Sequence, residues 1–78
     1  VLIHGIVDGY IDFGEEVLLF DYKTDYLPLN FSAKEVAAVK RRYLKQMNLY
    51  RLAIESALQK KIIGVKLVLL KVGIVVDV

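Results

Sequence analysis

With 78 residues, 56% of them hydrophobic and none of them cysteine, the chain can form one domain at most around a modest core, and it can hold neither a disulfide nor a thiolate metal site. No apolar run approaches the roughly 18 residues of a membrane span and no cationic, signal-like segment opens the chain, so a cytoplasmic protein without a membrane partner is expected. The formal charge of +2 hides a division, because residues 1–33 carry six acids and one lysine, residues 34–66 nine bases and two acids, and the remainder balances. An acidic half suited to a cation beside a basic half suited to phosphate is one reading of that division, and a solvated helix face is the other.

In chain order, residues 6–13 predict a first strand and residues 16–24 a second. They are joined through Phe13-Gly14-Glu15-Glu16, with Gly14 at the first central position of a tight turn. The run Val17-Leu18-Leu19-Phe20 is short, continuous and apolar, which suits a buried strand. Residues 26–30 contain Pro28 and Asn30 without a clear period and read as a loop. Ser32 with Glu35 makes a capping box, and Phe31 with Val36 can form a hydrophobic staple around it. From there Val36, Val39, Tyr43, Met47, Tyr50, Ile54 and Leu58 recur at steps of three and four, giving one apolar face of a long helix that ends near Lys60. Residues 62–71 and 74–78 read as two further strands separated by Gly73, with Lys66 and Lys71 as isolated charges guarding strand edges. The expected fold class is therefore α/β: a mixed sheet of about four strands and one long amphipathic helix. A first residue that is Val1 rather than Met, and apolar ends, suggest a single partial domain cut from a larger chain.

The chemistry concentrates on the hairpin. If Gly14-Glu15 is a two-residue loop, Phe13 lies opposite Glu16 and Asp8 directly opposite Asp21, with Cβ atoms about 4.5 to 5.5 Å apart. Like charges so placed repel, and a divalent cation between them reverses the sign. Lys23 shares the face of Asp21 one pleat on, about 7 Å along the chain. A loop of three or five residues would instead set Asp8 opposite Phe20 or Tyr22 and disperse the cluster. The plain alternative is a strand pair with solvated charges on an open face. His4 falls on the face of Asp8 but two pleats away, opposite Asp25, which favours an ion pair or a strand-end histidine over a ligand. Asp12 is remote and expected to be solvated. On the helix, Gln46 and Tyr50 are neighbours four apart with Arg42 one turn earlier; such a row can face a nucleic acid, or Tyr50 can be core with Gln46 at its rim. Lys40, Arg41, Arg42 and Lys45 could contact phosphates or simply be solvated.

The strings Gly5-Ile6-Val7-Asp8, Asp21-Tyr22-Lys23-Thr24-Asp25 and Gln46-Met47-Asn48-Leu49-Tyr50 together resemble, in order and spacing, the RecB-like branch of the PD-(D/E)XK nuclease superfamily. Within it they resemble the carboxy-terminal nuclease domain of AddA (RexA) type helicase-nuclease subunits. The resemblance implies a restriction-endonuclease-like core that is incomplete on its N-terminal side, where the family has a helix with a further acidic or histidine ligand. It implies Asp8 and Asp21 as metal ligands with the backbone carbonyl of Tyr22, Lys23 as the catalytic lysine, and Gln46 and Tyr50 as a helix pair that supports the site and faces DNA. Hard oxygen ligands favour Mg2+ or Mn2+, and a chain without cysteine has no iron-sulfur cluster. Implied partners are DNA, helicase domains in the parent chain and a partner protein of the AddB/RexB type, and the implied role is ATP-dependent processing of double-strand ends for recombinational repair. No G-x-x-x-x-G-K loop occurs, so an ATPase would lie elsewhere. Two alternatives remain: a nuclease-like fold that binds DNA without cutting it, and a structural α/β module in which Asp8, Asp21 and Lys23 form only a charge cluster.

Overall fold

The computed structural model describes residues 6–78. It contains strands β1 (Gly9–Asp12) and β2 (Glu16–Lys23), helix α1 (Ala33–Leu58), and strands β3 (Lys61–Leu69) and β4 (Ile74–Asp77). The four strands form one sheet in the order β1-β2-β3-β4, antiparallel at both edges and parallel in the middle. The mixed α/β architecture expected from the sequence is the one observed. The parallel pair requires a crossover, and α1 supplies it, since parallel neighbours cannot be joined by a tight turn. At 1.5 Å per residue its 26 residues reach about 39 Å, matching the 41 Å long axis of the molecule.

The hairpin has the two-residue loop. The Phe13 N–H donates to the Glu16 carbonyl over 2.8 Å, and the ladder runs from Asp12↔Val17 to Gly9↔Phe20. Gly14 sits at φ 103°, a region that suits glycine, and its N–H donates to Asp12 Oδ1 over 2.8 Å. At the helix start the capping box is complete: Ser32 accepts from the Lys34 N–H and Glu35 accepts from the Ser32 N–H. The helix ends two residues before Lys60, with Gln59 in the left-handed region and its N–H donating to the Glu55 carbonyl.

One face of the sheet packs against α1. Val17 and Leu19 of β2 meet Val65, Leu67 and Leu69 of β3, and Val39, Met47 and Ile54 of the helix close over them. Val36, Tyr43, Tyr50 and Leu58 pack at the border, as the periodicity of the helix requires. A bulge makes the β3 contribution possible. Val17 pairs with Ile62 but Leu18 with Gly64, so Ile63 is the extra residue and is exposed. Without it Gly64 and Lys66 would turn inwards; with it Ile62, Val65, Leu67 and Leu69 all face the core.

Several expectations need correction. The first strand is Gly9–Asp12 and not residues 6–13, because the ladder stops at Gly9 and the chain turns so that Val7 enters the core. Lys66 guards no edge: β3 lies inside the sheet, and Lys66 forms an ion pair with its cross-strand partner Asp77. Lys71 is not isolated either, its ammonium standing 4.4 Å from the centre of the Tyr26 ring. Asp12 is paired with Lys60 at 2.7 Å and is not merely solvated. His4 lies outside the described residues. No helix among the described residues is long and apolar enough to cross a membrane.

Candidate functional site

Alternation along β2 sends Val17, Leu19, Asp21 and Lys23 to the helix-covered face. The first two are core. Asp21 continues the row into the same interior and is only 7% exposed, the one buried charged residue among those described. A carboxylate so placed must be compensated.

Compensation comes from the point where β1 ends. In an antiparallel ladder, hydrogen-bonded and non-hydrogen-bonded pairs alternate. Starting from the Phe13 and Glu16 pair, Gly9↔Phe20 is hydrogen-bonded, Asp8 and Asp21 would form the next, close pair, and Tyr22 would bond to Val7. Side chains replace that last step. The Tyr22 N–H donates to Asp8 Oδ2 over 2.7 Å, and the Asp8 N–H donates to Asp21 Oδ1 over 3.2 Å. The two carboxylates are thus laced across the end of the hairpin, each bonded to the opposite strand. Since the N–H and C=O of a strand residue point to the same edge, the Tyr22 carbonyl faces the Asp8 side as well. Asp8 and Asp21 are brought together in this way, with the Tyr22 carbonyl on the same strand edge.

Gly9 makes the crossing tight. A Cβ at that position would lie 2.3 Å from Cζ of Phe20, so the ring covers the bare glycine Cα from the far face of the sheet. Phe20 in turn meets Tyr22, ring centres 5.8 Å apart, which steadies the outer side of the strand that carries Asp21.

Electrostatics divide the carboxylates. Burial pushes the Asp21 carboxyl above its usual range, and the neighbouring Asp8 adds to the push against the opposing pull of Lys23. Exposed Asp8 is held below its usual range, first by hydrogen bonding to the Asp21 side chain and then by the Tyr22 N–H. Lys23 Nζ lies 2.9 Å from Asp21 Oδ2. Burial works against its charge, but the Asp21 contact outweighs it and the ammonium is favoured. As an ammonium, Lys23 can donate hydrogen bonds and cannot accept a proton.

The helix reaches this cluster through Tyr43, which the sequence places in the apolar row of the helix and beside Arg42. Lys23 Nζ stands 4.5 Å from the centre of the Tyr43 ring. The Tyr43 hydroxyl donates to Asp25 Oδ1 over 2.7 Å, and Arg42 pairs with Asp25 Oδ2. Two consecutive helix residues therefore hold the carboxylate just beyond β2. A tyrosine on an otherwise apolar helix face was the available signal, because a partly buried phenol needs a partner. Of the other candidates, Arg42 is tied to Asp25 while its side chain stays 59% exposed. Tyr50 packs at the border of the core. Gln46 is exposed on α1 and its side chain is not drawn into the cluster.

What could hold a cation here is a set of hard oxygens: the carboxylates of Asp8 and Asp21 and the carbonyl of Tyr22. That chemistry fits Mg2+ or Mn2+. Among the described residues no third histidine, cysteine or acid joins them.

No family model matches the chain. Among curated proteins it is similar along its whole length to the AddA subunits of ATP-dependent helicase/nucleases. Identity is 43% over 77 residues with the Enterococcus faecalis protein, covering 99% of this chain. It is 38% over 78 residues with that of Lactobacillus acidophilus, covering 100%, and 44% over 77 residues with that of Lacticaseibacillus casei, covering 99%. The chain spans 6% of the length of each of these relatives. The similarity is thus to one short segment of these helicase/nuclease subunits.

Proposed function

We propose that this chain contributes the metal-dependent nuclease centre of an ATP-dependent helicase-nuclease, and that it hydrolyses DNA phosphodiester bonds with Mg2+ or Mn2+. In this reading it is of the RecB-like PD-(D/E)XK type, and the parent protein trims double-strand ends for recombinational repair with an AddB/RexB-type partner. The observation that carries it is the laced pair Asp8 and Asp21 with Lys23 at 2.9 Å. Support also comes from the homologues, whose name contains both helicase and nuclease.

Asp8, Asp21 and the Tyr22 carbonyl would hold the metal. When bound, a divalent cation lowers the pKa of a coordinated water and neutralises phosphate charge. The protein supplies the rest. Lacing through the Tyr22 and Asp8 N–H groups fixes both carboxylates before any ligand arrives, and preorganisation of this kind avoids a cost at the moment of reaction. Lys23 orients the attacking water or donates to the phosphate oxygen on which charge develops. Arg42, Gln46 and Tyr50 line the helix side, where Gln46 is free to contact DNA and Tyr50 packs at the border of the core.

The test is cleavage by the full-length protein. Asp21→Ala and Lys23→Met should each lower the cleavage rate by about 100-fold or more, a loss of the size expected for a positioned proton-transfer or charge-stabilising group, while ATP hydrolysis is unchanged. Persistent cleavage in either variant would sink the assignment. A second reading, a nuclease-like fold that binds DNA without cutting it, draws on the two-carboxylate count among the described residues. It requires Mn2+ to leave the amide signals of residues 8, 21 and 22 unbroadened; localised broadening that disappears in Asp8→Asn favours the nuclease.

A further inference from the structure

The ammonium of Lys23 is held from two sides, by Asp21 Oδ2 at 2.9 Å and by the face of the Tyr43 ring at 4.5 Å. These supports differ in what happens to them during the proposed reaction, on which this inference rests. Asp21 would be shared with a divalent cation, and a carboxylate that serves a metal attracts a lysine less strongly. The ring has no competing ligand. It is also fixed from behind, because the Tyr43 hydroxyl is bonded to Asp25 and Asp25 is paired with Arg42 of the same helix. The side chain of Asp25 is only 11% exposed, so this anchor is sheltered from solvent.

We infer that Tyr43 is a positioning residue for Lys23: its ring, anchored through Asp25 to Arg42, keeps the ammonium directed at the reacting phosphate once Asp21 is engaged by metal. The phenol acts through the electron-rich face of its ring and its bond to Asp25 and touches no substrate. Loss of the ring leaves Lys23 to a flexible four-carbon stem and to solvent. The effect falls on turnover, since substrate affinity depends on other groups.

The experiment uses the full-length protein, with kcat and KM for DNA cleavage measured alongside ATP hydrolysis. Tyr43→Leu should lower kcat about 2- to 30-fold with KM unchanged, the range to which a cation–ring contact of roughly 0.5 to 2 kcal/mol converts. Tyr43→Phe keeps the ring but loses the hydroxyl that anchors it to Asp25, so kcat should fall by less than in Tyr43→Leu, again with KM unchanged. Because Tyr43→Leu could disturb packing, phenylalanine analogues carrying one, two or three ring fluorines at position 43 provide a nearly isosteric series. Fluorine withdraws electron density from the ring face, so kcat should fall stepwise along the series. A Lys23→Met background should erase that dependence in whatever rate remains. A flat series, or an equal fall in the Lys23→Met background, would overturn the inference while leaving the nuclease assignment intact. Full cleavage by Lys23→Met itself would instead overturn the assignment.

Discussion

The two ends of β2 are built on the same pair of neighbouring strands and end differently. At the turn end, backbone pairs with backbone: the Phe13 N–H meets the Glu16 carbonyl, and Val17 is flanked by Asp12 on one side and Ile62 on the other. At the carboxyl end the β3 side continues to Lys23↔Leu69, but the β1 side stops at Phe20. There the Asp8 side chain takes the Tyr22 N–H that the main chain of a longer β1 would have bonded, and the Asp21 side chain accepts from the Asp8 N–H. The difference teaches where a polar centre can be placed in so small a sheet. Ending one ladder three residues early exposes an edge with unpaired peptide groups, and carboxylates can be held there without disrupting the core that Val17 and Leu19 form a few ångströms away.

Substitutions on that one inner row should expose the contrast. Leu19→Ala removes a wholly buried side chain from the centre of the core and should cost about 2 to 5 kcal/mol in guanidinium unfolding. Asp21→Asn, two residues on, should cost less than about 1.5 kcal/mol. The amide still accepts from the Asp8 N–H, and the loss of the Lys23 contact is offset by relief of burial and of repulsion from Asp8. Equal costs for the two variants would mean that the carboxyl end is core after all. Between them lies Gly9→Ala, which should cost about 1 to 3 kcal/mol because the Phe20 ring must move aside. Phe20→Leu in the same chain should remove most of that penalty, and failure to do so would show that the backbone and not the ring confines Gly9.

Local chemistry made much of this legible in advance. Gly14 before Glu15 specified the two-residue turn, and with it the register that sets Asp8 against Asp21. Ser32 and Glu35 marked the start of the helix, and the three-four spacing from Val36 to Leu58 marked its buried face. What could not be read depended on contacts distant in sequence. The run from Ile62 to Leu70 is apolar almost throughout, so no alternation betrays the bulge at Ile63. The early end of β1 follows from a competition between the Asp8 side chain and the Val7 main chain for one N–H, and residue identities alone do not rank them. The partners of Asp12, Lys66 and Lys71 depend on which strands and loops become neighbours. The role of Tyr43 was hidden because a tyrosine in an apolar row satisfies the helix pattern whether or not its hydroxyl and ring are used.

The smallest expected effect compares two ion pairs at opposite ends of β2, Asp12 with Lys60 at 2.7 Å and Asp21 with Lys23 at 2.9 Å. Their lengths are alike and their titrations should be opposite. Exposed Asp12 is held below the ordinary value of 3.8 by its bond to Lys60 and by the Gly14 N–H. A folded pKa below the unfolded one means that this pair's contribution is complete above pH 3.8 and is lost as pH falls through the lower, folded value. For Asp21 burial wins over the lysine and the shift is upward. The folded state then holds the proton more tightly, so stability declines as pH rises from 3.8 through the higher, folded value. Carboxyl carbon NMR across an acid titration should therefore find Asp12 titrating below 3.8 and Asp21 above it. Addition of Mg2+ sharpens the contrast, because a cation shared by Asp8 and Asp21 favours both charged forms. It should draw the Asp21 midpoint downward and leave Asp12 where it was. Equal movement of both midpoints would mean that Mg2+ acts as general screening and that the carboxyl end of β2 is no more a cation site than the turn end.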